Sequence, residues 1–149
     1  MPLKQQVHQH YLQLIQDRID VFRDMIAALT EDSKNDAKGS AGDKHETALS
    51  MMHIEQEKLN RKLAEIYEQQ SVLEKIDPTA IHSKIALGSI VQANSMLLFI
   101  SAALPKITVT EQTIIAVSPQ SPLGSKLMGM EVGYSFEINS TDYTIKSIT

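Results

Sequence analysis

Two stretches of apolar residues at helical spacing, separated by a long polar run, constrain this chain more than any other feature. Within residues 3–29, Val7, Tyr11, Leu14, Arg18, Val21, Met25 and Ala28 recur at alternating intervals of four and three, and Ile15, Phe22 and Leu29 stand seven apart beside them. A second seam occupies residues 44–76, through Met52, Leu59, Leu63, Ile66, Leu73 and Ile76. Each pattern is that of a helix with an apolar stripe that must be covered. Residues 30–43 between them are polar apart from two alanines and contain Gly39 and Gly42, which reads as a turn. Two such helices joined by a polar connection pack antiparallel on each other. Arms of about 30 residues, at about 1.5 Å per residue, span on the order of 45 Å. A helical bundle completed by a second copy of the chain is the alternative that pattern alone leaves open.

Asp77-Pro78 ends the second helix, because proline lacks an N–H and biases the residue before it away from helix. Residues 78–84 read as a linker. Beyond it, residues 89–92, 95–100, 113–117, 134–138 and 143–148 are short β-branched or aromatic runs bounded by Asn, Gly, Pro and Ser, and predict four or five strands. Ser121-Pro122, followed by Leu123, Leu127, Met128 and Gly129, predicts a capped short helix with proline in its first turn. The expected class is therefore α+β: a two-helix antiparallel coiled coil over residues 1–77, then a small β-rich domain over residues 85–149. About 65 residues is near the lower limit for independent folding.

Composition narrows the function. The 149 residues include no cysteine, so thiolate metal sites, disulfides and cysteine nucleophiles are excluded. Residues 1–79 hold 10 Lys and Arg against 14 Asp and Glu, whereas residues 80–149 hold four of each, so the net charge of −4 belongs to the first half. Neither half has the basic stripe that binds duplex DNA through its phosphates. The longest apolar run, residues 96–100, has the length of a buried strand and falls far short of the roughly 20 residues of a membrane span. No signal-peptide layout opens the chain, and the expected compartment is the cytoplasm. His8 and His10 face different sides of a helix, and His53 and His82 have no fitting partner, which argues against zinc.

Two motifs carry a resemblance. Ser118-Pro119-Gln120-Ser121-Pro122-Leu123-Gly124-Ser125-Lys126-Leu127-Met128-Gly129-Met130-Glu131-Val132-Gly133-Tyr134 resembles the C-terminal signature of the Gre transcript-cleavage factors, with Tyr134 where Asp is usual. Gly42-Asp43-Lys44-His45-Glu46-Thr47-Ala48 resembles that family's hairpin tip, with Thr47 where Asn is usual and Lys44 where an apolar residue is common. The order and the segment lengths also match.

The resemblance implies a transcription elongation factor whose coiled coil enters the secondary channel of RNA polymerase, while an FKBP-like C-terminal domain docks outside it. Asp43 and Glu46 would then be tip carboxylates that help the polymerase hold a second Mg²⁺ and an attacking water, so that backtracked RNA is cut. The protein would have no cofactor of its own and would not catalyse alone, and its contact with nascent RNA would be indirect. Ser121, Pro122 and Leu123 are the candidate polymerase contact. Asp43 and Glu46 also fit a capping box at a helix start, and the two roles are compatible. His45 reads as solvent-exposed, and Lys34, Lys38 and Lys44 read as a solvated turn or as RNA contacts. Two other functions stay open: a channel-binding regulator without cleavage activity, and an FKBP-like prolyl isomerase. The isomerase needs an aromatic-lined pocket, for which the domain has Phe99, Tyr134, Phe136 and Tyr143.

Overall fold

The computed structural model describes the backbone of residues 1–37 and 43–149 and the side chains of residues 1–35 and 46–149. Two long helices, α1 (Leu3–Ala37) and α2 (Asp43–Glu74), precede six strands and a short helix, an α+β chain as the sequence predicts. Its contacts divide it into two compact units, Gln13–Gln70 and Met1–Leu12 with Ser71–Thr149. The ends of both helices thus pack with the strands.

Within Gln13–Gln70, polar bonds across the helix pair fix an antiparallel register. Gln70 donates to Gln16, Gln56 to the Thr30 hydroxyl at 2.8 Å, and Ser33 to the Met52 sulfur. From the first bond to the second, fourteen residues forward on α1 are fourteen back on α2. The covered seam of α2 runs through Met52, Gln56, Leu59, Leu63, Ile66 and Gln70, which contains four of the six predicted residues; the other two, Leu73 and Ile76, are buried in the strand-bearing unit, Ile76 beyond the end of α2. On α1 the covered row is Ile15, Ile19, Phe22, Ile26, Leu29 and Ser33. Val21, Met25 and Ala28, predicted in the seam, are instead exposed. The two rows on α1 lie one residue apart and share a period, so spacing alone defines the repeat but not which row meets the partner. α1 also runs eight residues beyond Leu29, into the segment read as a turn. Its Glu31, Asp32, Ser33 and Lys34 are compatible with helix once α2 lies alongside.

The other unit is built on a mixed sheet. Its strands are β1 (Ile90–Ala93), β2 (Met96–Ile100), β3 (Ile107–Val109), β4 (Gln112–Val117), β5 (Ser135–Ile138) and β6 (Thr141–Ile148), in the order β3-β4-β2-β1-β6-β5. Only β2 and β4 run parallel. A six-residue helix, α3 (Pro122–Leu127), interrupts them. β3 is the strand that the sequence reading lacks. Val91, Ala93, Leu98, Ile100, Val117, Leu127, Phe136 and Ile145 form the core, joined by Ile85 just after the linker. Phe136 lies between Tyr134 and Tyr143 with centroid distances of 6.2 and 5.4 Å.

The start of α1 is anchored in this unit. Tyr11 is fully buried, stacks on Phe99 at 5.8 Å and donates its hydroxyl to the Pro105 carbonyl at 2.6 Å. His8 Nε2 makes a 2.6 Å bond with the Leu73 carbonyl. The Lys4 ammonium, although buried, donates to the carbonyls of Ala80 and Thr149. Burial lowers its pKa, against the opposing field of Asp77.

Burial pushes the Tyr11 phenol up from 10.0 to about 12, because its ionised form has lost water. A raised folded-state value means that the contribution is complete below pH 10.0 and is lost as pH rises through about 12. Tyr11→Phe is therefore expected to cost about 1 kcal/mol at neutral pH through the missing hydrogen bond. It should also reduce the alkaline fall in stability within that window. Urea denaturation at a series of pH values checks both.

Candidate functional site

The predicted tip sits at the start of α2. Asp43 is the first residue of that helix, with its side chain outside the described residues, as are those of Lys44 and His45; Lys38, Gly39 and Gly42 lie outside them altogether. Glu46 follows in the first turn, and its side chain is exposed. Residues three apart on a helix share a face, so the backbone puts Asp43 and Glu46 on one side of α2. On α1, Glu31, Asp32 and Lys34 are exposed as well. Among the described residues no three His, Asp or Glu side chains come together as a metal site.

The seam changes character toward this end. Ile19, Leu59 and Ile66 are buried, whereas Thr30, Ser33, Met52 and Gln56 are only partly covered and bond to one another in pairs. Less apolar burial means that local opening costs less there.

The Ser121, Pro122 and Leu123 corner is held by local bonds. Ser121, in extended conformation at φ −67° and ψ 160°, accepts from the Gly124 N–H at 3.0 Å and donates to the Ser118 carbonyl at 2.7 Å. Its hydroxyl therefore builds the turn. Pro122 is exposed and Leu123 half-buried, so these two present the apolar surface. They border a groove of about 480 Å³ whose other walls are Lys126 from α3 and Glu137, Ile138 and Asn139 from the β5–β6 hairpin. Ser121, Pro122 and Leu123, consecutive in the chain, thus share a groove with four residues that the sequence reading did not place beside them. Asn139 falls between the predicted strands 134–138 and 143–148; nothing in the linear spacing put that connection beside α3.

His82 and Asp77 lie elsewhere in this unit. The His82 Nδ1 is 2.7 Å from the Ser89 hydroxyl, and burial, reinforced by Lys4, lowers its pKa. Hydrogen bonds from the Thr79 hydroxyl and N–H hold Asp77 below the usual carboxylate value. These contacts shape the linker.

No family model matches the chain, and no curated protein does. Among solved structures, that of the transcription factor Gfh1 is similar over 92% of this chain and 92% of that one, with 16% sequence identity and a TM-score of 0.35. A likeness of that size names no family for this chain.

Proposed function

We propose that this protein is a Gre-like transcription elongation factor that binds RNA polymerase, places its helical hairpin in the secondary channel and promotes cleavage of backtracked RNA. The observation that carries the reading is the antiparallel pairing of α1 and α2, with Asp43 and the exposed Glu46 in the first turn of α2, where the hairpin reverses. Carboxylate oxygens are the hard donors that Mg²⁺ prefers, and the ion is commonly held by one or two of them plus water and phosphate. When bound, a second Mg²⁺ supplies charge stabilisation to the attacking and leaving oxygens of a phosphoryl displacement. Asp43 and Glu46 would furnish part of its ligand set, and the polymerase the rest.

A hairpin that occupies the channel without promoting cleavage is the second reading, favoured by Thr47 in the place of the family's Asn. The isomerase reading loses support, because Phe99, Tyr134, Phe136 and Tyr143 each stack on another ring. No helix of the described residues is long and apolar enough to cross a membrane, and the proposed partner would place the chain in the cytoplasm.

Docking is assigned to the groove beside α3. Leu123→Asp puts a charge on the groove wall and is expected to weaken binding of the full chain to purified polymerase by about tenfold or more, equivalent to at least about 1.4 kcal/mol. Co-sedimentation with polymerase of the same organism measures this. Binding unchanged by Leu123→Asp removes the groove from the account, and no binding by the wild-type chain removes the polymerase.

A further inference from the structure

Sulfur enters this chain only as thioether: there are seven methionines and no cysteine. Met96, Met128 and Met130 pack against the core of the strand-bearing unit. On the helix pair, Met25 is 45% and Met51 65% exposed, both outside the covered rows, so a more polar side chain there would simply face water. Met52 differs. It stands half-buried on the covered seam of α2, and its Sδ accepts a hydrogen bond from the Ser33 hydroxyl of α1 at 3.3 Å. Of the three bonds that fix the antiparallel register, this one is nearest the start of α2.

The lone pairs with which a thioether weakly accepts a hydrogen bond are also its reactive electrons. In a reaction with hydrogen peroxide, one sulfur lone pair forms an S–O bond and the O–O bond breaks. The departing hydroxide takes the remaining peroxide proton and leaves as water, so the sulfur is oxidised by two electrons and the peroxide reduced. A polar, chiral sulfoxide then replaces an apolar side chain, a change that disrupts packed interfaces. The seam around Met52 has little apolar burial to offset it, because the neighbouring row positions hold Thr30, Ser33 and Gln56, all only partly covered. Deeper in the pair Leu59 and Ile66 are buried, so an opening that starts at Met52 stops there. The same partial cover lets a small peroxide reach the sulfur.

We propose that Met52 is a redox-sensitive modification site: oxidation of its thioether by a hydroperoxide unpairs the helices between the Thr30–Gln56 bond and the start of α2, and leaves the seam closed from Leu59 toward Ile66. This is independent of the polymerase reading, because it is measured on the free protein. The full chain is treated with hydrogen peroxide at neutral pH, peptide mass spectrometry locates each added oxygen, and amide hydrogen exchange is followed at labelling times from milliseconds to minutes. Protection of residues 46–56 should fall by about tenfold or more once Met52 carries an oxygen, while that of residues 59–70 stays unchanged. Met52→Leu, which keeps the seam apolar, should show no fall although its Met25 and Met51 are oxidised. Met51→Leu should respond as the wild type does. Met52→Gln, polar from the start, should lack that protection without peroxide, and a methionine sulfoxide reductase with a thiol reductant should restore it to the oxidised wild type. A Met52 that stays unmodified while Met25 and Met51 are converted overturns the proposal. So does an oxidised Met52 with unchanged exchange, or a Met52→Leu protein that opens on peroxide as the wild type does.

Discussion

Gly124→Ala is expected to lower the stability of the strand-bearing unit by about 3 kcal/mol or more, at the upper end of what overpacking costs. A methyl group on Gly124 would sit 1.9 Å from the Ser118 carbonyl oxygen, 2.8 Å from its carbon and 3.0 Å from the Pro119 Cα. All three are backbone atoms of the turn that Ser121 closes, so no side chain can rotate away. The required shift would break the bonds that Ser121 makes to Gly124 and Ser118. With about 4–8 °C per kcal/mol for a domain of this size, the melting temperature should drop by roughly 12–24 °C. Ser125→Ala, which removes only an exposed hydroxyl bonded to the Pro122 carbonyl, is the control and should cost about 1 kcal/mol or less. Equal melting temperatures for the two variants would show that the turn yields where the packing says it cannot.

The parts of this fold that were legible in the sequence are those where one local pattern has one physical solution. Leu59, Leu63 and Ile66 can only line a helix seam, and Ser121-Pro122 can hardly do otherwise than start a short helix. The phase of the α1 seam was not legible, because Val21 and Met25 are as apolar as Phe22 and Ile26; the choice is made by α2. β3 was missed for a different reason. It has three residues, and the turn that joins it to β4 is Thr110-Glu111, at φ 50° and 65°, a left-handed conformation that Gly or Asn would have announced and these residues do not. Lys4 gave no hint of burial, since its two carbonyl partners are 76 and 145 residues away. At the site, the Asp43 and Glu46 spacing and the Ser121 corner were legible as motifs. Lys126, Glu137, Ile138 and Asn139 entered only through the tertiary approach of the β5–β6 hairpin to α3.

The largest effect is expected at the tip. Asp43→Asn and Glu46→Gln keep the shape of each side chain and remove the charge that a divalent cation requires. Each is expected to slow cleavage of backtracked RNA by roughly 100-fold or more, beyond the 10–100-fold typical of groups that only support metal ligands. Polymerase binding should stay near wild type, because Glu46 is exposed and outside the helix seam. If the two carboxylates served only as a helix cap, each substitution would cost about 0.5–2 kcal/mol of stability and leave cleavage nearly unchanged. Melting temperature and cleavage rate, measured on the same two variants, therefore separate the roles.

The most direct test uses halted, backtracked RNA polymerase of the same organism, with labelled RNA, over a range of Mg²⁺ concentrations. Addition of the wild-type protein should shorten the RNA from its 3′ end and restore elongation, the Asp43→Asn protein should bind without shortening it, and the protein without polymerase should leave RNA intact. Wild-type protein that binds the halted complex and yields no shortened RNA at any Mg²⁺ concentration would contradict the cleavage account and leave the non-cleaving channel regulator in its place.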